Sequence, residues 1–501
     1  MKHIVPIALI GCSFLISCAK NESAPGSNRK VDPAKNTIML QNDYSITPSL
    51  VAAMPGIDNL QFIPLISSED VLAASPNFVF GGQPDGQGIL RNQTGRGFTL
   101  ISNHEIYRSV SRVTLDKNLR PVNGEYIVNG NGGQWRLCSA TLATPQEHGF
   151  GPLFLTAGES GEESMVHGID PFGPVGDVSR TDRVLPALGK ASMENAVPLP
   201  KQAYPGKTVV VIGEDQSPAS SHLSAGQLSM YLSNSVGDLS NGKFYELRRT
   251  NLDPIETNMV MGTGYDVEFA EVSNAANKTG KQINDDAYAL NAIRFARIED
   301  VDYRKGMNAN GREIYFVATG VANARTTPVT GYTMWGRLYK LVLDANNPLK
   351  GKLEVVMDGS EGKWNATPGK DMVNPDNVCV TENFVYVQED SDSYYTANTH
   401  DAYVWLYEIG TGNYKPVITM DHRRTDPVFN AKFNPSNDTR LGSWEYGAML
   451  DISDITGING TFLLNIHSHT WTSPNFANPD GSGTASQTEG GQTLIVRGLP
   501  R

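Results

Sequence analysis

The chain has 501 residues and carries 41 Lys+Arg against 53 Asp+Glu, a formal net charge of -12. That balance excludes the extended cationic face that nucleic-acid binding needs, and it repels anionic ligands unless bound cations or local arginines reverse the sign where they bind. Four cysteines in this length exclude a disulfide scaffold, although Cys138 and Cys379 leave room for one bridge.

At the N-terminus, Lys2 and His3 precede an apolar run from Ile4 to Ile16 that is too short to span a bilayer. Leu15-Ile16-Ser17-Cys18 resembles the lipobox of bacterial lipoprotein precursors, and the following stretch from Ala19 to Asn28 is polar enough to serve as a tether. The expected organisation is a signal peptide over residues 1–17, a lipid anchor on Cys18 with a tether over 18–45, and a single domain over 46–501. The expected location is the bacterial cell envelope, with the bilayer engaged only through the acyl anchor.

Beyond the tether, 45–95 is rich in Pro, Gly and Asn and is expected to wrap the main body as a lead-in. Short β-type runs then follow: Phe98 to Ser102, Leu153 to Thr156, Thr208 to Gly213, Gln227 to Leu232, Ile314 to Thr319, Arg337 to Leu343, Leu353 to Val356, Val404 to Ile409, Thr461 to Ile466 and Thr493 to Arg497. Long helical periodicity is missing, and Asp285 to Arg294 is expected as a short helix. The frequent Gly (49) and Pro (29) punctuate strands rather than helices. A closed all-β fold accommodates this many strands in one domain, and a β-propeller with long loop insertions fits best; a β-sandwich with appendages is the other architecture.

Two segments share a grammar. Arg297-Ile298-Glu299-Asp300-Val301-Asp302-Tyr303 precedes the run Glu313 to Thr319, and Pro375-Asp376-Asn377-Val378 precedes Phe384 to Val387. Both read as acidic turns at the rim of a sheet, presenting oxygen ligands on one face. His467-Ser468-His469 ends a strand, and alternation would put both imidazoles on one side. Trp335-Gly336-Arg337 and Tyr394-Tyr395 are expected to pack at the edges of the fold.

In chain order the motifs are Asn103-His104-Glu105, Cys138 after Trp135-Arg136-Leu137, Thr144-Pro145, Leu155-Thr156-Ala157-Gly158-Glu159, Leu188-Gly189 with Glu194, Gly213-Glu214-Asp215, Arg297 to Asp300 and Pro375 to Asn377. This colinear set, from about residue 98 to 467, resembles the PhoX-type alkaline phosphatase family. The resemblance implies a six-bladed propeller phosphomonoesterase whose central site holds ferric iron and calcium. It implies Cys138 as iron ligand, Glu194 and Glu299 as metal ligands, and Arg297 as the catalytic, phosphate-binding arginine. Glu159, Asp215, Asp300, Asp376 and Asn377 fall at or beside acidic and amide positions around the metals.

The donor chemistry agrees: carboxylates and Asn carbonyls suit Ca2+, a thiolate among carboxylates suits Fe3+, and a guanidinium offers a planar fork to phosphate oxygens. The sequence departs from the family pattern at Ser139-Ala140-Thr141, where a glycine pair is usual, at Ala157-Gly158, and at Met193 in place of a histidine. It also lacks a twin arginine near its start. The expected function is metal-dependent hydrolysis of a small-molecule phosphomonoester. A calcium-dependent propeller hydrolase of lactonase, esterase or phytase type and a catalytically inert binding propeller are the alternatives.

Overall fold

β-branched and aromatic residues at alternate positions build antiparallel strands that radiate from a common centre. The computed structural model describes residues 38–323, 327–362, 364, 371–390 and 400–501. The expected signal peptide, Cys18, the tether up to residue 37 and the Tyr394-Tyr395 pair lie outside the described residues.

Six strands stand innermost: Pro84–Arg91, Leu137–Ala143, Met193–Pro198, Ile298–Tyr303, Pro375–Val380 and Glu445–Asp451. Each packs against the next in this order, and the Glu445–Asp451 strand returns to the Pro84–Arg91 strand. The ring therefore closes, as in a propeller, and rules out the sandwich. From the first inner strand a four-stranded sheet runs outward through Phe98–His104, Ser109–Leu115 and Pro121–Val128; from the second, a three-stranded sheet runs through Leu153–Gly158 and Val166–Ile169.

Hydrogen bonding departs from six separate sheets in one place. A single nine-stranded sheet begins on the Met193–Pro198 strand and ends on the Ile298–Tyr303 strand, which pack together, so this sheet nearly closes on itself. The cause is the outer strand Gly264–Val272, which pairs with Lys243–Arg249 on one side and Lys350–Asp358 on the other. Phe316 and Tyr339 stack at 4.9 Å inside it and Phe295 meets both edge-on at 5.4 and 5.2 Å. Each such fully buried aromatic contributes roughly 2–3 kcal/mol of apolar burial.

The lead-in over 45–95 is not a wrapping. It supplies three strands: Val51–Ala53 extends the sheet that starts on Pro375–Val380, Gln61–Ser67 completes the sheet that starts on Glu445–Asp451, and Pro84–Arg91 is itself an inner strand. The Gln61–Ser67 strand pairs with the C-terminal strand Glu489–Arg497, so the two ends of the described chain are joined in one sheet.

Two further expectations shift. The short helix lies at Gly280–Ala289, earlier than read, because Thr279 and Gln282 form a reciprocal capping box that fixes its start. The supposed acidic turns are strands, since Glu299, Asp300, Asp376 and Asn377 all lie within inner strands. Cys138 and Cys379 are both buried and unbridged. Among the described residues no helix is long and apolar enough to cross a membrane.

Candidate metal centre

Every inner strand carries a β-bulge near its start. The register with the outward neighbour shifts between Pro84 and Gln87, Leu137 and Ala140, Met193 and Ala196, Ile298 and Val301, Pro375 and Val378, and Tyr446 and Met449. A bulge leaves residues without a direct partner and re-aims their side chains. Here it singles out Asp85-Gly86, Cys138-Ser139, Glu194-Asn195, Glu299-Asp300, Asp376-Asn377 and Gly447-Ala448. In five of the six, the first residue is a carboxylate or a thiol; in the sixth it is glycine, and Glu445 at the head of the strand supplies the carboxylate.

The first residues converge. Oxygen or sulfur atoms of Asp85, Glu105 and Cys138 lie within 4.8 Å of one another, as do those of Glu194, Glu299 and Asp376 and those of Asp376, Asp390 and Glu445. The last two groups share Asp376, so the acidic atoms form a connected band at the centre of the ring. Glu159 accepts from Cys138 Sγ at 3.5 Å.

The second residues stitch neighbouring strands together. Asn195 Nδ2 donates to Asp300 Oδ1 at 2.6 Å, the Val301 N–H donates to the same oxygen at 2.7 Å, and the Val378 N–H donates to Oδ2 at 3.0 Å. Asn377 Nδ2 donates to Ser139 Oγ at 2.7 Å, while the Ser139 N–H donates to Glu194 Oε1 at 3.0 Å. Asp300, expected among the metal ligands, thus has both oxygens engaged in joining three strands.

Two guanidiniums border the band. Arg297 donates through Nε and Nη2 to the two oxygens of Asp215, at 2.5 and 2.9 Å, and its Nη2 lies 2.7 Å from Glu299 Oε1. Its backbone sits at φ 63°, a left-handed conformation that costs a non-glycine residue about 1 kcal/mol and occurs mostly where surrounding structure imposes it. Arg136 lies 2.7 Å from Glu105 Oε1 and 3.5 Å from Glu159 Oε2, and its side chain is 46 % exposed, which puts it at the open edge of the band.

Two cations do not balance so many buried carboxylates. Burial first pushes Glu194, Glu299 and Asp376 well above the ordinary carboxylate range; Glu299 then raises Glu194 and Asp376 further, while Arg297 works against the rise of Glu299 and Asp215 and Glu159 add to it. Asp85 and Glu159 are pushed up to about 8, again chiefly by burial. Burial and neighbouring carboxylates raise the Cys138 thiol as well. A group of acids that must otherwise hold protons at neutral pH has the electrostatics of a cation site.

The donor set passes the same test. Asn377 Oδ1 is buried and accepts no hydrogen bond, an amide oxygen in the same bulge as Asp376. Glu194, Glu299 and Asp376 make an all-oxygen set of the kind calcium prefers. Cys138 with Asp85 and Glu105 makes a mixed sulfur and oxygen environment, better suited to iron.

All eight expected ligands and Arg297 lie in or beside the bulged strands or in the loops that border them. Asp85, Glu105, Asp390, Glu445 and Arg136 join them without having been singled out as site residues. Asp85 had a readable signal, since Pro84-Asp85-Gly86 repeats the pattern of Pro375-Asp376-Asn377. Glu445 had none, standing between Trp444 and Tyr446 in a run that looks like core. Trp335-Gly336-Arg337 is structural: Arg337 is buried and donates to Asp358 at 2.7 Å and to the carbonyls of Glu256 and Met259.

No protein-family model matches the chain, and no curated protein matches it in sequence. Among solved structures, PhoX from Pseudomonas fluorescens, in complex with vanadate as a transition state analogue, superposes with a TM-score of 0.58 at 12% identity. That match covers 88% of this chain and 95% of PhoX, and it shows a shared fold. Looser fits include the arabinofuranosidase Arb93A of Fusarium graminearum (TM-score 0.37, 11% identity, 83% of this chain and 93% of that one). Another is the calcium-binding protein regucalcin of Agrobacterium tumefaciens (0.32, 11%, 84% and 92%). Similarities of that size carry nothing about the site.

Proposed function

We propose that the chain is a metal-dependent hydrolase of phosphomonoesters. The observation that carries this reading is the excess of buried carboxylates over cationic side chains, bordered by a guanidinium that two carboxylates hold in place. We read the ring as six blades, taking the nine-stranded sheet as two blades joined at their outer edges by Gly264–Val272.

Glu194, Glu299, Asp376 and Asn377 would hold calcium, and Cys138 with Asp85 and Glu105 would hold ferric iron. Bound, these cations supply the positive charge that neutralises phosphoryl oxygens and makes nearby water more acidic. The protein's own contribution is positional. Asp215 and Glu299 fix the Arg297 guanidinium, so its charge needs no reorganisation when a phosphoryl group arrives. Arg136, at the open edge, adds a second permanent charge that draws a dianionic ester towards an otherwise acidic protein. Asp300 and Asn377 lock the strands that carry the ligands. With a lipid anchor at Cys18 the enzyme would work at the cell envelope, where released phosphate is close to uptake.

A chromogenic phosphomonoester tests the reading. Hydrolysis that disappears with a chelator and returns with added calcium is expected, with iron found by elemental analysis of the active preparation. Turnover of lactones or carboxyl esters but not of the phosphate ester would replace the reading with the lactonase or esterase alternative. Neither turnover nor stoichiometric metal, in protein produced with both metals supplied, would leave an inert propeller.

A further inference from the structure

At one end of the acidic band the donors change character. The strand Thr461–Thr472 places His467 and His469 on one side, two residues apart, and His467 stands directly opposite Glu445 on the neighbouring strand. Ligand atoms of Glu445, His467 and His469 lie within 4.8 Å of one another. We propose that these three residues bind one divalent first-row transition-metal ion, a site separate from the oxygen-rich calcium cluster and from the Cys138 cluster.

The outer side of each imidazole carries the argument. His467 Nε2 lies 2.8 Å from the Pro84 carbonyl oxygen, which can only accept, so Nε2 holds the proton and Nδ1 is left towards Glu445. His469 Nδ1 lies 2.9 Å from Glu489 Oε2, and the same carboxylate oxygen takes Gln83 Nε2 at 2.9 Å. A carboxylate on Nδ1 leaves His469 Nε2 towards Glu445 Oε1, 3.5 Å away. Each ring is thus anchored through one nitrogen by an acceptor and presents the other to a shared carboxylate, the outer-sphere arrangement that fixes metal-ligating histidines.

Backbone geometry has made room for this. A Cβ on Gly447 would come within 2.8 Å of His467 Nε2 and 2.5 Å of the Pro84 oxygen, so any other residue there would break the anchoring bond. Two imidazoles and one carboxylate suit zinc, iron or cobalt and do not suit calcium. Glu445 also belongs to the group formed with Asp376 and Asp390, so an ion here would lie next to the oxygen-rich cluster, which contains Asp376.

The test uses the full-length mature chain, loaded with both calcium and iron, with zinc and cobalt as probes. One equivalent of zinc should bind in the presence of excess calcium. Cobalt in the same place should give visible d–d absorption, and X-ray absorption of the zinc form should show imidazole scattering. His469→Ala should weaken zinc by about 100-fold or more and Glu489→Gln by about 10-fold, whereas Cys138→Ser should leave it unchanged. The proposal is overturned if no equivalent binds in excess calcium, if the bound zinc lacks imidazole ligands, or if Cys138→Ser abolishes the binding. Wild-type affinity in His469→Ala would overturn it too. Should that variant not fold, the X-ray absorption of the unaltered protein decides. None of these readouts requires phosphatase activity, so failure of the hydrolase reading and failure of this one are told apart.

Discussion

Arg297 and Asp300 stand three residues apart and do different work. Arg297 is held by Asp215 and Glu299 in a plane that lysine cannot reproduce. Removing a fixed charge that acts on the transition state costs roughly 100- to 1,000-fold in rate. Arg297→Ala and Arg297→Lys are therefore both expected to lower kcat/KM for a phosphomonoester by about that much while calcium content stays intact. Wild-type kinetics in Arg297→Ala would remove it from the site. Asp300, by contrast, accepts three hydrogen bonds from Asn195, Val301 and Val378. Asp300→Ala leaves those buried donors unpaired, at about 1 kcal/mol or more each. A loss of about 3 kcal/mol in urea unfolding is expected, and an unchanged midpoint would show that Asp300 does not join the strands. The sequence made Glu299 and Asp300 look alike, two acids in one motif. Only the bulge, which sends neighbouring side chains to different partners, separates a candidate ligand from a clamp.

Strands were legible in the sequence where they are continuous apolar runs, buried almost throughout, as in Thr208–Glu214, Glu313–Ala318 and Thr461–Thr472, whereas the half-exposed outer strand Gly264–Val272 was not read. Arg337–Leu343 has the bounds read for it, and Glu313–Ala318 is displaced by one residue. Two inner strands, Ile298–Tyr303 and Pro375–Val380, were read as turns, and the reason is chemical. Pro375-Asp376-Asn377 and Pro84-Asp85-Gly86 contain the residues turns prefer, and a bulge demands the same tolerance of unusual backbone. The repeat of the pattern was available, but its meaning depended on a ring of strands that no local window contains. Gly86 makes this testable. A Cβ there would meet the Ala140 nitrogen at 2.3 Å and the Ser139 carbonyl carbon at 2.6 Å, both backbone atoms of the strand that holds Cys138. Gly86→Val is expected to destabilise the fold by about 1–3 kcal/mol or more, since overpacking is relieved only by moving backbone. Metal bound at Cys138 should fall with it, more than metal bound at Glu194 and Glu299. Equal loss at both, measured by elemental analysis on folded protein, would mean that the bulges do not position their ligands independently.

Closure of the ring couples its parts, since Gln61–Ser67 and Glu489–Arg497 share a sheet and the first and last inner strands touch. Buried ionisable groups anywhere in the ring should therefore act on one cooperative unfolding transition. Buried histidines outside the candidate ligand groups oppose acidification: burial holds His148, His167 and His422 down to about 4 and His104 down to about 3. His148 shows why: its Nδ1 accepts the Thr144 N–H at 3.0 Å, and a proton on that nitrogen would face a donor. A histidine whose folded value lies below its unfolded value of about 6.5 binds more protons when unfolded, so its contribution is complete above pH ~6.5 and is lost as pH falls towards 4. Each costs up to about 1.4 kcal/mol per pH unit across that window. Glu214 and Glu246 act with opposite sign, because burial raises both and the folded state takes up their protons first as pH falls. The net slope is a balance of these, so one histidine's share is read from a variant, as the difference in its pH dependence from the unaltered protein at constant saturating calcium. His148→Gln, which keeps an acceptor for Thr144, should lower Tm at pH 7 yet lose less stability than the unaltered protein between pH ~6.5 and ~4.5, by up to about 1.4 kcal/mol per pH unit. An acid limb of unchanged slope in that variant would place the sensitivity elsewhere, in protons competing with cations for the central carboxylates, and it would then vary with calcium concentration.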